Sequence, residues 1–472
     1  MRKIGFLFYF LVFSNVILFA QHKINTDVFG MATSNTFTYF NVHDTTFMHK
    51  VLDMKPNILR FPGGAVGNFY HYNKAAYGFD LDEIDRWHKG GFPKRARGLL
   101  KYSQRMKHNH NYIEDFIYLA KKTNSSVILV ANIITGDTNE LFSMIDYMRA
   151  EQLDIIGIEL GSELSNRPYY LAGFDIYDYI ELSEFFAESI KKRYSDIKIG
   201  VVAAPLVAQK NHRHTLWNRT LQKKNFYDAV ILHSYAKVTK GKSQYGQMIQ
   251  EVTEGKDIVE MFSLYRHRAL KYFSDVYPKE ISQYRNIFHK PFWITEWNLQ
   301  ISRITGNTLL QGLFVASYFL ELSTNTELQT IELTTFHNLA GRDVSGSIFM
   351  NDGKKTHVHP TFLPIKILSN VFQSKDYFAF KTQETQMCYR YDFRQNKNQR
   401  CDFSFFINWS DKPIQISIDS AKDQLFSSEE YFGENLFVLA SEKESIKYLK
   451  KDYLTGDTLT IKPFSLTKIT YL

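Results

Sequence analysis

The stretch that decides the fold is Pro291-Phe292-Trp293-Ile294-Thr295-Glu296-Trp297-Asn298, a mostly apolar run that ends at a carboxylate. Its apolar start predicts a buried strand, and a charge where such a strand stops is usually paired or used, because desolvation costs free energy. A second run of this kind lies upstream, Asp154-Ile155-Ile156-Gly157-Ile158-Glu159-Leu160-Gly161-Ser162-Glu163. Two strands that each end at a glutamate predict a two-carboxylate hydrolase on a parallel barrel.

Strands and helices are predicted to alternate over most of the chain. Apolar runs typical of strands begin near residues 28, 58, 127, 155, 197, 229, 292 and 330, with helical spacing between them. Eight such units predict an α/β fold, a closed (β/α)8 TIM barrel. An open doubly wound sheet is the alternative, but Gly30-Met31-Ala32 lacks the glycine-rich phosphate turn expected after its first strand.

The pattern changes beyond about Lys375. Short alternating runs such as Phe403–Ile407 and Ile414–Ile418 are separated by turn residues, and Ser465–Tyr471 closes the chain. This predicts a C-terminal antiparallel β-sandwich of roughly a hundred residues. The predicted organisation is a signal peptide (1–20), a catalytic barrel (21–374) and a β-sandwich domain (375–472).

The N-terminus has the pattern of an export signal. Arg2 and Lys3 precede the apolar run Ile4–Ala20, which is followed by polar residues. A retained membrane anchor is the alternative, but Ser14 and Asn15 interrupt the run and no stop-transfer charges follow it. We expect a protein that is secreted, periplasmic or on the cell surface, with no stable membrane insertion after cleavage.

Composition restricts the partners. Lys and Arg number 57 against 49 Asp and Glu, a formal net charge of +8, which favours encounter with polyanions. A nucleic-acid partner is not expected, because the chain is predicted to be exported and shows no recognition module. The pairing of the two cysteines, Cys388 and Cys401, is left open, and their spacing predicts no metal site. Neither a metal nor an organic cofactor is expected.

The candidate site is built from the C-terminal ends of the barrel strands, which point into one cleft. Glu163 and Glu296 are the candidate catalytic residues. The candidate substrate-binding residues at or near these strand ends are Arg60, Asn68, Trp87, Asn132, Ser162, His233, Tyr235, Trp297, His337 and Asn338.

Cleavage of a glycosidic bond needs a group that protonates the leaving oxygen and a carboxylate that attacks the anomeric carbon. Glu296 suits the nucleophile, because the cation Arg60 would keep it ionised. Glu163 suits the acid/base. Tyr235 is placed to donate a hydrogen bond to the nucleophile, and His233 to orient a carboxyl or a sugar hydroxyl.

Four motifs together resemble the retaining clan A glycoside hydrolases, nearest to the α-L-arabinofuranosidase, β-xylosidase and heparanase-like branches. They are Leu59-Arg60-Phe61-Pro62-Gly63-Gly64, Glu159-Leu160-Gly161-Ser162-Glu163, His233-Ser234-Tyr235 and Thr295-Glu296-Trp297-Asn298. The resemblance implies an acid/base glutamate after strand four, a nucleophile after strand seven, and a double-displacement reaction on a carbohydrate. One departure is Ser162, because the clan usually has Asn at this position, reaching the sugar 2-hydroxyl. This bears on the substrate more than on the reaction.

The long segment after the second strand is basic and is expected to rim the cleft. Its charges suit an anionic polysaccharide, sulfated or uronate-containing, and Trp87 suits stacking on a sugar ring. A solvated basic loop is the alternative. The residues in question are Trp87, Lys89, Lys94, Arg95, Arg97, Lys101, Arg105 and Lys107.

Two other functions compete with hydrolysis. One is a non-catalytic carbohydrate-binding protein on a degenerate barrel, with Ser162 as a first sign of decay, although both glutamates are present. The other is an exported structural or adhesion protein, which would leave the two strand-end glutamates without a purpose.

Overall fold

The computed structural model describes residues 22–87, 92–105, 111–239, 257–300, 304–341, 346–351, 356–395, 401–417, 425–439, 446–454 and 458–471. The export signal predicted for residues 1–20 lies outside these ranges. Among the helices within them, none combines the length and apolar character needed to cross a lipid bilayer.

A closed barrel of eight parallel strands follows the short first strand β1 (His22–Lys23), which confirms the predicted fold class. Neighbouring strands in the barrel follow chain order, and the last pairs with the first to close it. Each strand begins within two residues of its predicted start. The barrel strands are β2 (Gly30–Ala32), β3 (Ile58–Phe61), β4 (Ser126–Ala131), β5 (Ile155–Leu160), β6 (Lys198–Val202), β7 (Ala229–Ala236), β8 (Phe292–Leu299) and β9 (Ile331–Phe336).

Helices connect these strands and surround the barrel. Several begin at an acidic residue whose carboxylate accepts backbone N–H groups of the first turn, as Asp137 and Asp175 do. The helices are α1 (Thr36–Tyr39), α2 (Thr45–Met54), α3 (Leu81–Asp85), α4 (Phe92–Arg105), α5 (Ile113–Thr123), α6 (Thr138–Ala150), α7 (Arg167–Leu171), α8 (Ile176–Arg193), α9 (Arg213–Leu221), α10 (Ile258–Lys271), α11 (Tyr277–Ile287), α12 (Leu309–Thr324) and α13 (Phe362–Ser369).

The C-terminal domain is the predicted antiparallel β-domain, preceded by a small three-stranded sheet after the barrel. Seven strands form one sheet in the order β1-β13-β14-β15-β20-β17-β18, and β16 pairs with β19. The strands are β10 (Ala340–Gly341), β11 (Phe349–Asn351), β12 (Thr356–Val358), β13 (Phe378–Thr385), β14 (Cys388–Arg394), β15 (Phe403–Asn408), β16 (Ile414–Ser417), β17 (Leu425–Gly433), β18 (Ile446–Leu454), β19 (Thr458–Ile461) and β20 (Ser465–Tyr471).

The two sheets of this domain share their own small core. Phe406 and Phe426 of the large sheet pack with Leu459 and Ile461 of the two-stranded sheet. The domain boundary differs from a simple cut in the chain, because β1 pairs with β13 and so belongs to the large sheet rather than the barrel. Cys388 and Cys401 are both buried and free.

Helix α12 joins the two domains. All sixteen of its residues are buried, which is typical of a helix covered on every side. On the side of the sheet, the Glu321 carboxylate accepts hydrogen bonds from Tyr391 Oη (2.7 Å) and Lys381 Nζ (2.5 Å), while Trp409 Nε1 donates to Ser317 Oγ at 3.2 Å. The sheet therefore supports the barrel helix that packs behind β8.

Helix boundaries and extra elements account for most differences from the predicted pattern. Helix α9 begins three residues before the predicted Leu216, because His212 caps it by accepting the His214 N–H. Helix α10 continues through a π-helical turn into α11, which was not predicted. Helices α3 and α4 also lie in the segment that was expected to be a long loop.

Two glycines make room for a tryptophan inside the barrel. A Cβ added at Gly157 would lie 2.4 Å from the Trp293 ring and 2.9 Å from Ile128, and one at Gly200 would lie 2.8 Å from the same ring. Strand β5, which carries Glu159 and leads into the turn of Glu163, therefore depends on a small residue at position 157.

We expect Gly157→Val to destabilise the protein by about 1–3 kcal/mol, because the added side chain overpacks the barrel interior. Gly98→Ala in α4 is the control, since nothing lies within 4 Å of the Cβ it would add. It should be neutral or stabilise by up to about 1 kcal/mol. Urea unfolding measures both, and equal midpoints for the two variants would contradict this packing.

Candidate active site

The barrel brings the C-terminal ends of four strands together at one mouth. Arg60 lies on β3, Glu163 follows β5, His233 and Tyr235 lie on β7, and Glu296 lies on β8. These residues are far apart in sequence, and the parallel arrangement of the strands is what makes them neighbours. Distances among their polar atoms define the candidate site.

Arg60 is a fully buried cation held by two carboxylates. Its Nε and Nη2 donate to the two oxygens of Glu159 at 2.6 and 2.8 Å, and its Nη1 donates to Glu296 Oε1 at 3.0 Å. Burial alone would lower the pKa of Arg60, but the charges of Glu159 and Glu296 raise it above its ordinary value. Arg60 therefore remains charged and fixed. Glu159 was not predicted as a site residue, although a carboxylate inside an apolar strand is a signal that could have found it.

Glu296 is a buried carboxylate surrounded by donors. Besides Arg60, the Tyr235 hydroxyl donates to its Oε2 at 2.7 Å, and His233 Nδ1 lies 3.6 Å from the same oxygen. Burial raises the pKa of Glu296, but the charges of His233, His337 and Arg60 and the Tyr235 hydrogen bond outweigh it and hold that pKa well below its usual range. The side chain is therefore ionised at neutral pH.

Glu163 stands in a different environment. Its side chain is 34% exposed against 7% for Glu296. His233 Nδ1 lies 3.0 Å from Glu163 Oε1, and the Asn166 amide donates to Oε2 at 2.8 Å. Asn166, three residues further along the same turn, was not predicted as a site residue. The Glu163 backbone has φ of 53°, a strained conformation for a non-glycine residue.

Asn68 holds the backbone of the turn that carries Glu163. The Asn68 amide donates to the Ser162 carbonyl oxygen and its Oδ1 accepts the Ser162 N–H, both at 2.7 Å. Asn68 is fully buried, so the structure gives it a positioning contact with the turn rather than a place in the cleft. Gly161 is required here, because a Cβ at its φ of 79° would lie 2.3 Å from Leu164.

Ser162 is also fully buried, and its hydroxyl accepts a hydrogen bond from Arg60 Nη2 at 3.3 Å. The side chain that replaces the usual asparagine therefore faces the Arg60 network. The polar group that instead reaches the exposed face of Glu163 is Asn166.

One oxygen of Glu163, one of Glu296 and a ring nitrogen of His233 lie within 4.8 Å of one another. Among the described residues, these three side chains form the one group of His, Cys, Asp and Glu residues that lie close enough together to share a metal ion. The fixed positive charge of Arg60, 3.0 Å from Glu296, opposes a cation there. The pKa of His233 is also raised, because the charges of Glu296 and Glu163 outweigh the effect of burial.

The two tryptophans predicted to bind substrate lie outside the network of the two glutamates. Trp297 is fully buried, stacks on Tyr318 of α12 at 3.8 Å between ring centroids, and donates from Nε1 to Thr334 Oγ1 at 3.1 Å. The structure therefore reassigns Trp297 from the cleft to the packing of the barrel. Trp87 packs edge-on against Tyr169 and lines a separate cavity of about 330 Å³.

The remaining predicted residues divide between the site and its edges. His337 faces the Tyr235 ring at 6.1 Å and contributes positive charge near Glu296, so it belongs to the site. Asn338 is buried, and its backbone N–H donates to Gly346. Asn132 donates to Thr135 Oγ1 at 2.8 Å, outside the network of the two glutamates.

The basic segment after β3 is only partly described. Lys89 and Lys107 lie outside the described residues, as do the side chains of Lys94, Arg95 and Arg105. Arg97 pairs with Asp85 at 2.5 Å and Lys101 is exposed. Neither of these two lines the large cavity next to Glu163.

That cavity has a volume of about 1200 Å³ and opens beside the carboxylate pair. Glu163, His233 and Tyr235 form part of its wall, whereas Glu296 does not. Its size exceeds the roughly 300–1,000 Å³ typical of small-molecule pockets. The space therefore extends from the exposed side of Glu163, over the ends of β5, β6 and β7.

We expect Arg60→Met to destabilise the protein by about 3–5 kcal/mol, because Glu159 and Glu296 would lose their shared buried cation. Arg97→Met is the matched control, since its pair with Asp85 is exposed, and it should cost less than about 1 kcal/mol. Urea unfolding followed by circular dichroism compares the two. An Arg60→Met variant as stable as Arg97→Met would show that the network carries little of the stability.

Comparisons with known proteins identify the fold. No protein-family model matches the sequence, and no curated protein sequence does. Among solved structures, the GH51 arabinofuranosidase from Xanthomonas axonopodis pv. citri aligns with a TM-score of 0.67 and 11% identity over 97% of this chain and 98% of that chain. The α-L-arabinofuranosidase from Thermotoga maritima gives a TM-score of 0.61 and 14% identity over 97% and 98%.

A third similar structure is the 4-O-α-L-rhamnosyl-β-D-glucuronidase from Fusarium oxysporum 12S. It aligns with a TM-score of 0.61 and 11% identity over 97% of this chain and 99% of that chain. At these identities the likeness concerns the fold, and it spans both domains. The chain has the two-domain fold of these clan A glycoside hydrolases, an eight-stranded parallel barrel with a C-terminal antiparallel β-domain.

Proposed function

We propose that the protein is a retaining glycoside hydrolase that cleaves a polysaccharide or oligosaccharide, with Glu296 as nucleophile and Glu163 as acid/base. The observation that carries the proposal is that one carboxylate oxygen of Glu163 lies within 4.8 Å of one carboxylate oxygen of Glu296 at the barrel mouth. Retaining enzymes hold their carboxyl groups about 5–5.5 Å apart, whereas inverting enzymes need about 6.5–9.5 Å to admit a water. The spacing favours direct attack by a carboxylate.

The environments of the two groups support their separate roles. Glu296 is ionised and held by Arg60 and Tyr235, as a nucleophile must be at the moment of attack. Glu163 is more exposed and is held by His233 and Asn166, so it can exchange a proton with a leaving group and later with water. Because His233 lies near both carboxylates, it orients Glu163 while its charge favours the ionised form of Glu296.

The reaction follows in two displacements. In the first, a Glu296 oxygen bonds to the anomeric carbon, the bond to the leaving oxygen breaks, and that oxygen takes the proton from Glu163. In the second, Glu163 removes a proton from water, the water oxygen bonds to the anomeric carbon, and the ester bond to Glu296 breaks. The configuration at the anomeric carbon is inverted twice and so retained.

The comparisons support a carbohydrate substrate and leave its sugar open. Structures that share the fold are described as arabinofuranosidases and as a rhamnosyl-glucuronidase, which act on different sugars. A cavity of about 1200 Å³ next to Glu163 has room for more than one sugar unit. Export directed by residues 1–20 is part of this proposal, since an extracellular enzyme would meet polysaccharides there.

Azide rescue distinguishes the proposed acid/base role of Glu163 from the proposed nucleophile role of Glu296. An aryl-glycoside panel that includes arabinofuranoside, xyloside and glucuronide first identifies the substrate that the wild-type chain cleaves fastest. We expect Glu163→Ala to lower turnover of the 4-nitrophenyl glycoside by about 10²–10⁴-fold, and that of the 2,4-dinitrophenyl glycoside less, because the better leaving group needs no acid. Azide should then yield a glycosyl azide of retained configuration.

Glu296→Gly should lose turnover on both substrates, and azide should restore it with inverted configuration, because azide then attacks in place of the carboxylate. Glu151→Gln, on an exposed pair with Lys121, is the matched control and should keep wild-type rates. Near-wild-type turnover in either active-site variant would reject the assignment. Binding of glycans without any cleavage would favour a carbohydrate-binding protein instead.

A further inference from the structure

The wall of the large cavity beyond Glu163 carries an excess of cations. Its charged side chains include only two carboxylates, Glu163 and Glu280. Burial raises the pKa of Glu280, and the charge of Lys237 only partly offsets this effect. Each cation is contributed by an element at the ends of β5 to β7. The cations of the wall are Arg167, Arg213, Lys237, Arg268 and Lys271.

Arg213 and Arg167 stand out, because no carboxylate within the described ranges pairs with either. Arg213 donates to the Ser165 carbonyl oxygen, and its guanidinium lies over the Tyr170 ring at 5.4 Å from the centroid. Burial lowers the pKa of Arg213, and the nearby charge of Arg167 lowers it further. Arg213 is half-buried and Arg167 is exposed, and their like charges lie in one cavity wall without a described carboxylate that pairs with either. An anion that bound between them would reduce this repulsion.

His214, on the same stretch of chain, is a second and independent observation. It is 6% exposed and lines the cavity, yet neither ring nitrogen has a hydrogen-bond partner of normal geometry. Burial, with the charges of Arg213 and His212, lowers the pKa of His214 to about 4, against a small opposing effect of the Ser165 carbonyl oxygen. The ring is therefore neutral at pH 7 and has an N–H to donate.

Arg213 and His214 form the first turn of α9, and Arg167 lies at the start of α7. The His214 N–H is taken by the His212 cap, and the dipole of the helix favours negative charge at such an end. The planar fork of an arginine matches the paired oxygens of a carboxylate or a sulfate ester. The chemistry of this wall therefore suits an anion better than a neutral sugar hydroxyl.

We propose that Arg167, Arg213 and His214 bind a carboxylate or sulfate group carried by the sugar unit on the leaving-group side of the scissile bond. This inference rests on the proposed function, because Glu163 must reach the glycosidic oxygen. The cavity that contains these residues also contains Glu163 in its wall but not Glu296, which places it on the side of the leaving group. The substrate is then an anionic glycan.

The test uses three probes that differ only at C6: methyl β-D-glucoside, its 6-sulfate and methyl β-D-glucuronide. The full chain carries 13C at histidine Cε1, and the His214 signal is assigned by its loss in His214→Asn. We expect a saturable shift of that signal with at least one charged probe at constant ionic strength, and none with the neutral glucoside. The charged probe that shifts it tells sulfate from carboxylate.

Arg213→Gln should weaken binding of that probe about tenfold or more, because a charge-assisted hydrogen bond is lost. Arg219→Gln is the matched control: this arginine lies in the last turn of the same helix, is exposed and does not line the cavity. It should bind like the wild type. No shift with either charged probe, an equal shift with the glucoside, or unchanged affinity in Arg213→Gln would overturn the inference.

This readout needs no turnover, so its failure is separable from that of the proposed function. Anion binding without hydrolysis in the azide-rescue experiment would remove the enzyme assignment and keep the anion site. Hydrolysis without any response of His214 to the charged probes would keep the enzyme and remove the anion site.

Discussion

One buried guanidinium holds together the strands that carry the candidate site. Arg60 of β3 donates two hydrogen bonds to Glu159 of β5 and one to Glu296 of β8, all without solvent. A charge so deeply buried is tolerated only when its partners satisfy it, so the three strands have to keep their positions. The same contact that orders the barrel interior also favours the ionised form of Glu296, so one interaction sets both the packing of the strands and the charge of the candidate site.

The two glutamates differ because their surroundings differ. Glu296 sits inside the strand layer among donors, whereas Glu163 stands on a strained turn whose backbone is held by Asn68. Gly161, which precedes this turn, and the Asn68 amide, which binds its backbone, fix the position of the Glu163 carboxylate. The strained backbone of Glu163 is thus held by buried contacts on the side away from the cleft. The β-domain extends this support outward through α12.

Much of the fold could be predicted from the sequence, because eight apolar runs with helical spacing between them leave few alternatives to a closed barrel. The meeting of Glu163 and Glu296 with Arg60, His233 and Tyr235 could also be predicted, since each of these residues stands at a strand end. Trp297 could not. The pairing of β8 shifts register against β7 and β9 near Glu296, and such a shift re-aims side chains that strict alternation would place otherwise.

The sequence by itself determined the order of strands and helices, the change to an antiparallel domain, and which strands end in carboxylates, because hydrophobic periodicity and strand ends are local properties. The tertiary structure alone decided which polar groups meet. Glu159 and Glu296 share Arg60 across more than 230 residues of chain, Asn68 holds the turn of Glu163, and Asn166 completes its hydrogen bonds. These partnerships depend on barrel closure and register, which no local pattern encodes.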